Sequence, residues 1–408
     1  MGHLDVSQFL TLLIIILASA KVFGALAQRI GQPAVLGELI AGVIVGGSVL
    51  GWVDPKQETI HLLAEFGVLV LLFAIGLETD LRKLLIVGGA STIVAVVGVA
   101  LPFVFGYLAC RALGLNNLVA LFAGASLTAT SVGITARVLS DLGRLQEPES
   151  QVVLGAAVID DIIGLVILTV VTGMATGDEV TFSGIAWTTS IAFGFLLLTL
   201  GIGNFVVPRL FRMTGEIDLP GTATMLALIL AMSLAWLAQA VGSALIIGAF
   251  AAGVILARTP RAHEIERGVA NLGHFFVPIF FVSVGAAVDL SLLNPLEKTN
   301  HRTLLIGAVL VVVAVATKFA AGYAPFWFRG RKSIIGVGMI PRGEVGLIFA
   351  TLGQNAGVFD GGLFGAIMLM VMTTTFIAPP LLKMLLPPLP SNSNRRAPEG
   401  IEDLATEA

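Results

Sequence analysis

Gly155-Ala156-Ala157-Val158-Ile159-Asp160-Asp161-Ile162-Ile163-Gly164-Leu165 is the stretch on which the fold turns. Two adjacent carboxylates stand in the middle of an apolar run from about Val152 to Ala175. A run of that length crosses a bilayer, which takes ~20 apolar residues. An ionised Asp at bilayer depth costs roughly 2.5–3.5 kcal/mol on insertion scales. Two side by side persist only with compensation from a buried cation, a proton or a basic partner. Successive helical residues lie about 100° apart, so the two cannot face the same way. One can face a cation pathway while the other faces a basic partner. The plainer alternative is a pair satisfied by local polar groups.

The rest of the chain carries the same signature. Of its 408 residues, 56% are hydrophobic and 12% charged, and the mean hydropathy is +0.97. Soluble domains carry about 25% charged residues, so the composition defines an all-α polytopic membrane protein. The 47 glycines suit close helix packing in lipid. The net charge of −3 and the lack of a basic tract point to no nucleic-acid partner. A lone cysteine, Cys110, excludes an internal disulfide and a cysteine-based metal cluster. The first apolar run, with Lys21 and Arg29 behind it, reads as a membrane helix rather than a leader.

Thirteen spans are predicted. They begin near Gln8, Pro33, Thr59, Leu85, Asn117, Ser150, Gly184, Pro220, Ser243, Asn271, Thr303, Ser333 and Gly361, the ninth being short. The membrane domain is placed at 1–386 and a polar, disordered cytoplasmic tail at 387–408. With the N-terminus outside, inner segments hold sixteen Lys and Arg and outer segments four; Lys21, Lys318 and Arg342 fall within spans. Positive residues concentrate on the cytoplasmic side, so the N-terminus is expected outside and the C-terminus in the cytoplasm.

The chain also repeats. Gly37-Glu38-Leu39-Ile40-Ala41-Gly42-Val43-Ile44 matches Gly248-Ala249-Phe250-Ala251-Ala252-Gly253-Val254-Ile255, and Ala27-Gln28 matches Ala238-Gln239, all 211 residues apart. Ile75-Gly76-Leu77 and Asp80-Leu81 are echoed by Val284-Gly285-Ala286 and Asp289-Leu290. The matched spans, second and ninth, differ by an odd number, so approximate repeats 8–176 and 220–386 are expected to be inverted. Inverted repeats characterise secondary transporters, with the site near the midplane.

Under that correspondence the fifth and twelfth spans pair, and both read as broken. The fifth carries Thr128-Ala129-Thr130-Ser131-Val132-Gly133; the twelfth carries Ile340-Pro341-Arg342-Gly343-Glu344. Pro341 breaks a helix and Gly343 eases unwinding. Unwound backbone at this depth belongs where it lines a cavity or is buried in protein. An ordinary kinked helix with hydroxyls bonded to their own turn is the alternative, chiefly for the fifth span. Lys318, in the run from Leu304 to Tyr323, is the obvious basic partner unless it snorkels to the inner surface. Arg342 and Glu344 are expected to neutralise charges elsewhere rather than each other. Glu65 is a second candidate pathway carboxylate, Glu38 and Lys21 a possible pair, and His274 a satisfied histidine at the inner interface.

These motifs together resemble the bacterial monovalent cation:proton antiporters, most closely the NapA-type sodium/proton antiporters, with NhaA more distant. The resemblance rests on the Gly37–Gly46 stretch, Thr128–Thr135 with Leu139–Gly143, Asp160-Asp161 and Gly338–Gly346, and covers most of residues 20 to 385. It implies that Na⁺ and H⁺ compete at Asp161, with Na⁺ bound there. Asp160 would pair with Lys318, which would carry a second proton, and Thr130 and Ser131 would supply ion ligands. It further implies electrogenic exchange exporting Na⁺ (or Li⁺) on an inward proton gradient, with no cofactor. A mobile core domain would move like an elevator against a dimerisation domain, in a homodimer in the inner membrane and lipid bilayer. Two departures stand out. Gly46-Gly47-Ser48 replaces a common Gly-Pro-Ser, and only about twenty residues follow the last span, with no G-x-G-x-x-G unit. The second, with Asp rather than Gln at 160, favours sodium exchange over gated potassium efflux. A K⁺/H⁺ antiporter or K⁺ efflux system is the nearest alternative, ahead of a cation channel or a transporter-like sensor. An enzyme is disfavoured: aspartates adjacent on one helix cannot share a proton as opposed carboxylates do.

Overall fold

A computed structural model describes residues 5–55, 57–79, 81–176, 182–213, 221–242, 244–288 and 300–386. The predicted tail, and the Asp289-Leu290 end of the repeat, lie outside these. Among the described residues there are sixteen helices and no strand. They are α1 (Val6–Arg29), α2 (Ala34–Val45), α3 (Glu58–Glu78), α4 (Leu81–Ile86), α5 (Gly88–Ala112), α6 (Asn117–Ser126), α7 (Val132–Asp141) and α8 (Pro148–Thr176). There follow α9 (Phe182–Met213), α10 (Thr222–Ala240), α11 (Leu245–Leu256), α12 (Ala262–Ala286), α13 (Asn300–Ala321), α14 (Lys332–Gly338), α15 (Glu344–Asn355) and α16 (Gly361–Leu385). Eight are long and apolar enough to cross a membrane; α2, α6 and α11 are apolar but shorter.

Local chemistry sets the ends. Asn116 caps α6 by accepting from the Val119 amide at 2.9 Å, and Asp360 caps α16 by accepting from the Leu363 amide at 2.7 Å. Gly31 after α1 and Gly242 after α10 both take a left-handed φ, +73° and +80°, which stops each helix without a Cβ penalty. They too are 211 residues apart.

Two expected boundaries move. The fourth span starts not at Leu85 but at Gly88, because Leu81–Ile86 forms the separate helix α4. The tenth starts at Ala262, so His274 lies inside α12, exposed, rather than at its opening. The polar first turns of α12, with Glu264, Glu266 and Arg267, hide that start from a hydropathy reading.

The helices sort into two bundles. In bundle I, α3 packs on α11 and α12, α2 on α1 and α12, and α10 on α11. In bundle II, α5 packs on α6, α8 and α13, α13 on α16, and α14 on α8 and α16. They meet where α7 touches α2 and α3 and where α16 touches α2, along a seam filled by Leu39, Leu72, Ile134, Leu139, Phe281 and Leu382. Bundle I is drawn tight by bare backbone. A Cβ at Gly42 would overlap the Val282 carbonyl, and one at Gly285 the Leu39 carbonyl, where α2 crosses α12. The crossing of α3 and α11 repeats this with Gly76 against Phe250 and Gly253 against Phe73. Small residues let backbones approach where lipid supplies no hydrophobic drive between helices.

Candidate ion-binding site

Both predicted breaks exist. Helix stops at Ser126 and resumes at Val132 in one segment, and stops at Gly338 and resumes at Glu344 in the other. The two breaks bond to each other. The Ser131 amide donates to Pro341 O at 2.8 Å, the Thr135 hydroxyl to Gly338 O at 2.6 Å, and Arg342 Nη1 to Ala129 O at 2.8 Å. Thr375 of α16 donates to the Arg342 carbonyl. Carbonyls freed by unwinding thus find donors across the break, as buried backbone requires. Gly343 has no room for a side chain: an added Cβ would stand 2.7 Å from Ser131 Cβ.

The charged groups gather at this crossing. Asp160 and Asp161 lie in α8, 0% and 4% exposed. Lys318, in α13, is fully buried and does not snorkel. Its Nζ donates to Asp160 Oδ2 at 3.1 Å and to Thr130 Oγ1 at 2.7 Å. The 100° offset between the aspartates therefore has a physical counterpart: Asp160 points to the lysine, and its neighbour is set on another azimuth. Arg342 is also fully buried, its guanidinium on the Ala129 carbonyl of the first break. Among the described residues, Asp160 Oδ1 and Arg342 Nε and Nη2 make no hydrogen bond. Two carboxylates and two cations make the cluster formally neutral when all four are charged. Adding a cation leaves an excess positive charge that release of a proton removes.

The structure does not bring Glu65 to this cluster. Its side chain is 50% exposed and pairs with His61, one turn earlier on α3, at 3.7 Å. Residence in a span does not say which face a residue takes, and Glu65 takes the outer one. Glu344 opens α15, but its side chain lies outside the described residues. Glu38 is buried at the seam, with Arg137 and Asp141 of α7 and Lys21 of α1 as charged neighbours. Arg137 and Asp141 pair at 3.1 Å. Sequence reasoning missed Thr135 and Thr375. Hydroxyl bonds to carbonyls 203 and 33 residues away leave no periodic trace.

An all-helical membrane bundle with two unwound segments in contact, and buried opposite charges between them, has the architecture of a secondary transporter rather than an enzyme. The family model described as "Sodium/hydrogen exchanger, transmembrane" matches residues 13–387. The chain belongs to that family. It is 39% identical to the high-affinity Na⁺/H⁺ antiporter NhaS3 of Synechocystis sp., over 91% of this chain and 88% of that protein. It is 38% identical to the Na⁺/H⁺-K⁺ antiporter GerN of Bacillus cereus, over 92% and 96%. The sodium proton antiporter MjNhaP1 of Methanocaldococcus jannaschii has a similar fold, with a TM-score of 0.67 at 17% identity, over 92% of this chain and 96% of that one.

Proposed function

We propose that this protein exchanges Na⁺ for H⁺ across a cell membrane, with Asp161 as the group for which the two ions compete. The observation that carries the reading is the buried Lys318 ammonium held between Asp160 and Thr130, one residue from a second buried carboxylate. The names of the 39% and 38% identical relatives support it. An empty Asp161 carboxylate is too costly to carry through the apolar barrier. A proton neutralises it, and so does a cation, with Thr130, Ser131 and unwound carbonyls completing an oxygen shell. Movement therefore requires one or the other, which couples the two fluxes. When Na⁺ draws Asp160 from Lys318, the lysine releases its proton; two protons then exchange for one Na⁺. One net charge moves per cycle, worth ~2.3 kcal/mol per 100 mV, and an inward proton gradient drives Na⁺ out.

Bundle II, which holds the cluster, slides against bundle I, the elevator's fixed part and the homodimer contact. The N-terminus lies outside and the C-terminus in the cytoplasm. The 211-residue spacing of Gly31 and Gly242, and the matched crossings at Gly42 and Gly253, support the repeat, and the odd number of spans separating its halves makes it inverted. Because a 38% identical relative is named for K⁺ as well as Na⁺, K⁺ belongs in the test. Proteoliposomes with the potential clamped are given Na⁺, Li⁺ or, in a K⁺-free clamp, K⁺, and internal pH is followed. Na⁺-driven proton movement that is lost in Asp161→Asn is expected. Proton movement that survives this substitution overturns the assignment of Asp161.

A further inference from the structure

Away from the ion cluster, an open cavity of about 480 Å³ lies where the bundles meet, in the size range of ligand sites. Its walls come from both sides. Glu78 and Thr79 at the end of α3 and Arg258 just past α11 belong to bundle I; Arg82 of α4 and Gln146 of the α7–α8 connection belong to bundle II, on whose α5 and α8 the short helix α4 packs. Two exposed guanidiniums from bodies proposed to move independently thus face one space. The nearby carboxylate, Glu78, accepts from Ser140 at 3.4 Å, and its carbonyl accepts from Gln146, whose Oε1 takes the Lys83 ammonium at 3.1 Å. Glu266 and Asp141 also lie close to Glu78, Asp141 paired with Arg137; with five N–H donors each, the two guanidiniums can take up an anion beside the contacts they already make.

Helix α4 identifies the kind of anion. It reads Leu81-Arg82-Lys83-Leu84-Leu85-Ile86. Leu84 packs into the seam cluster, while Leu85 and Ile86 are 72% and 82% exposed. Two cations followed by bare aliphatic side chains fit a lipid interface, cations at headgroup depth and Leu85 and Ile86 against acyl chains. A guanidinium fork grips phosphate oxygens bidentately.

We propose that this cavity binds the phosphate group of an anionic phospholipid, held by Arg82 from bundle II and Arg258 from bundle I. The bound headgroup bridges the seam, so it stabilises the arrangement seen here and leaves before the bundles part at this end. That consequence rests on the exchange mechanism proposed above; the binding itself does not.

The test reads binding without transport. The purified full-length protein, stripped of lipid in detergent, is offered phosphatidylglycerol, phosphatidylcholine or inorganic phosphate. Retained lipid is counted by native mass spectrometry and stability followed by thermal unfolding. Wild type is expected to retain phosphatidylglycerol at least fivefold better than Arg82→Gln/Arg258→Gln, and to be stabilised by it alone. Arg261→Gln, a nearby surface arginine paired with Glu264, should behave as wild type and controls for general charge. Should the double variant not fold, Arg82→Lys/Arg258→Lys keeps charge but loses the fork, and intermediate retention is expected. Equal retention of phosphatidylglycerol by wild type and variant, or equal retention of phosphatidylcholine by wild type, overturns the proposal. Protection by inorganic phosphate matching that of the lipid overturns the lipid assignment and makes this a free-anion site.

Discussion

The Lys318–Asp160 pair gives the sharpest quantitative expectation. At 3.1 Å, unit charges in an effective dielectric of about 20 attract by about 5 kcal/mol before desolvation is counted. Removing one partner of such a pair costs about 3–5 kcal/mol, because the other charge stays buried. Lys318→Gln and Asp160→Asn should therefore each destabilise the folded protein strongly. The double substitution leaves two neutral, hydrogen-bonding side chains and should cost well under the sum. Neutral interhelical hydrogen bonds in membrane proteins average about 0.6 kcal/mol and reach about 1.7. A coupling above about 2 kcal/mol in a double-mutant cycle thus marks an ion pair and nothing weaker. Thermal or denaturant unfolding in one fixed lipid–detergent mixture gives the cycle. The same variants carry the transport consequence. With one net charge per cycle, 100 mV changes the equilibrium Na⁺ ratio by about 50-fold (~2.3 kcal/mol at ~1.36 per decade). In Lys318→Gln proteoliposomes that dependence should vanish while Na⁺-driven proton movement persists. Additivity within ~0.5 kcal/mol, or an undiminished response to voltage in the variant, would refute the assigned role of the pair.

Three further outcomes follow from the geometry. Gly343→Ala puts a methyl 2.7 Å from Ser131 Cβ; separating the two breaks should cost about 1–3 kcal/mol and slow exchange, read by unfolding and initial proton flux. Gly285→Ala drives a methyl into the Leu39 carbonyl in bundle I, so it should lower stability by a similar ~1–3 kcal/mol while the apparent Na⁺ affinity of the surviving protein stays within about twofold. Glu65→Gln alters a half-exposed group outside the cluster; exchange rate and Na⁺ affinity should remain within about twofold of wild type, and a collapse of either would return Glu65 to the ion pathway.

What was legible in the sequence was what is expensive. Charge inside an apolar run costs several kcal/mol, so Asp160, Asp161 and Lys318 stand out in the sequence, and the chain folds to bring Asp160 and Lys318 together. Pro341 advertised the second break because a ring without an amide proton cannot sit inside a helix. The first break has no proline, and only its hydroxyl-rich composition betrayed it. Cheap features stayed hidden. The donors that satisfy the unwound carbonyls, Thr135 and Arg342, act across more than two hundred residues, a relation no local pattern encodes. The position of Glu65 outside the Asp160–Lys318 cluster was not legible, because hydropathy gives depth but not azimuth. The separation of α4 from α5 and the sorting into two bundles are decisions of tertiary packing. The family resemblance implied a division into two domains, and nothing in the sequence marked the separation of α4 from α5.

The seam between the bundles differs in kind from the crossings within bundle I, and that difference bears on motion. Inside bundle I, α2 meets α12 and α3 meets α11 through glycines lying on facing carbonyls. Close-packed contacts of that sort are bistable or fixed rather than continuously deformable. Polar links across the seam include side-chain bonds from Ser140 to Glu78, from Gln146 to the Glu78 carbonyl, and from Lys383 of α16 to the Gly31 carbonyl. Each is a net ~0.5–1.5 kcal/mol interaction when neutral and somewhat more when charged. Beside them the seam holds aliphatic surface from Leu39, Leu72, Ile134 and Leu139 and one buried carboxylate, Glu38, which faces Arg137 and Asp141 of α7. Within bundle II, the two breaks are bonded to each other and to α16 by backbone-anchored links. In the exchange mechanism proposed above, the ion cluster travels with its whole cradle along this seam, and each passage parts the bonds at Glu78 and Gly31 and moves Arg137 and Asp141 past Glu38.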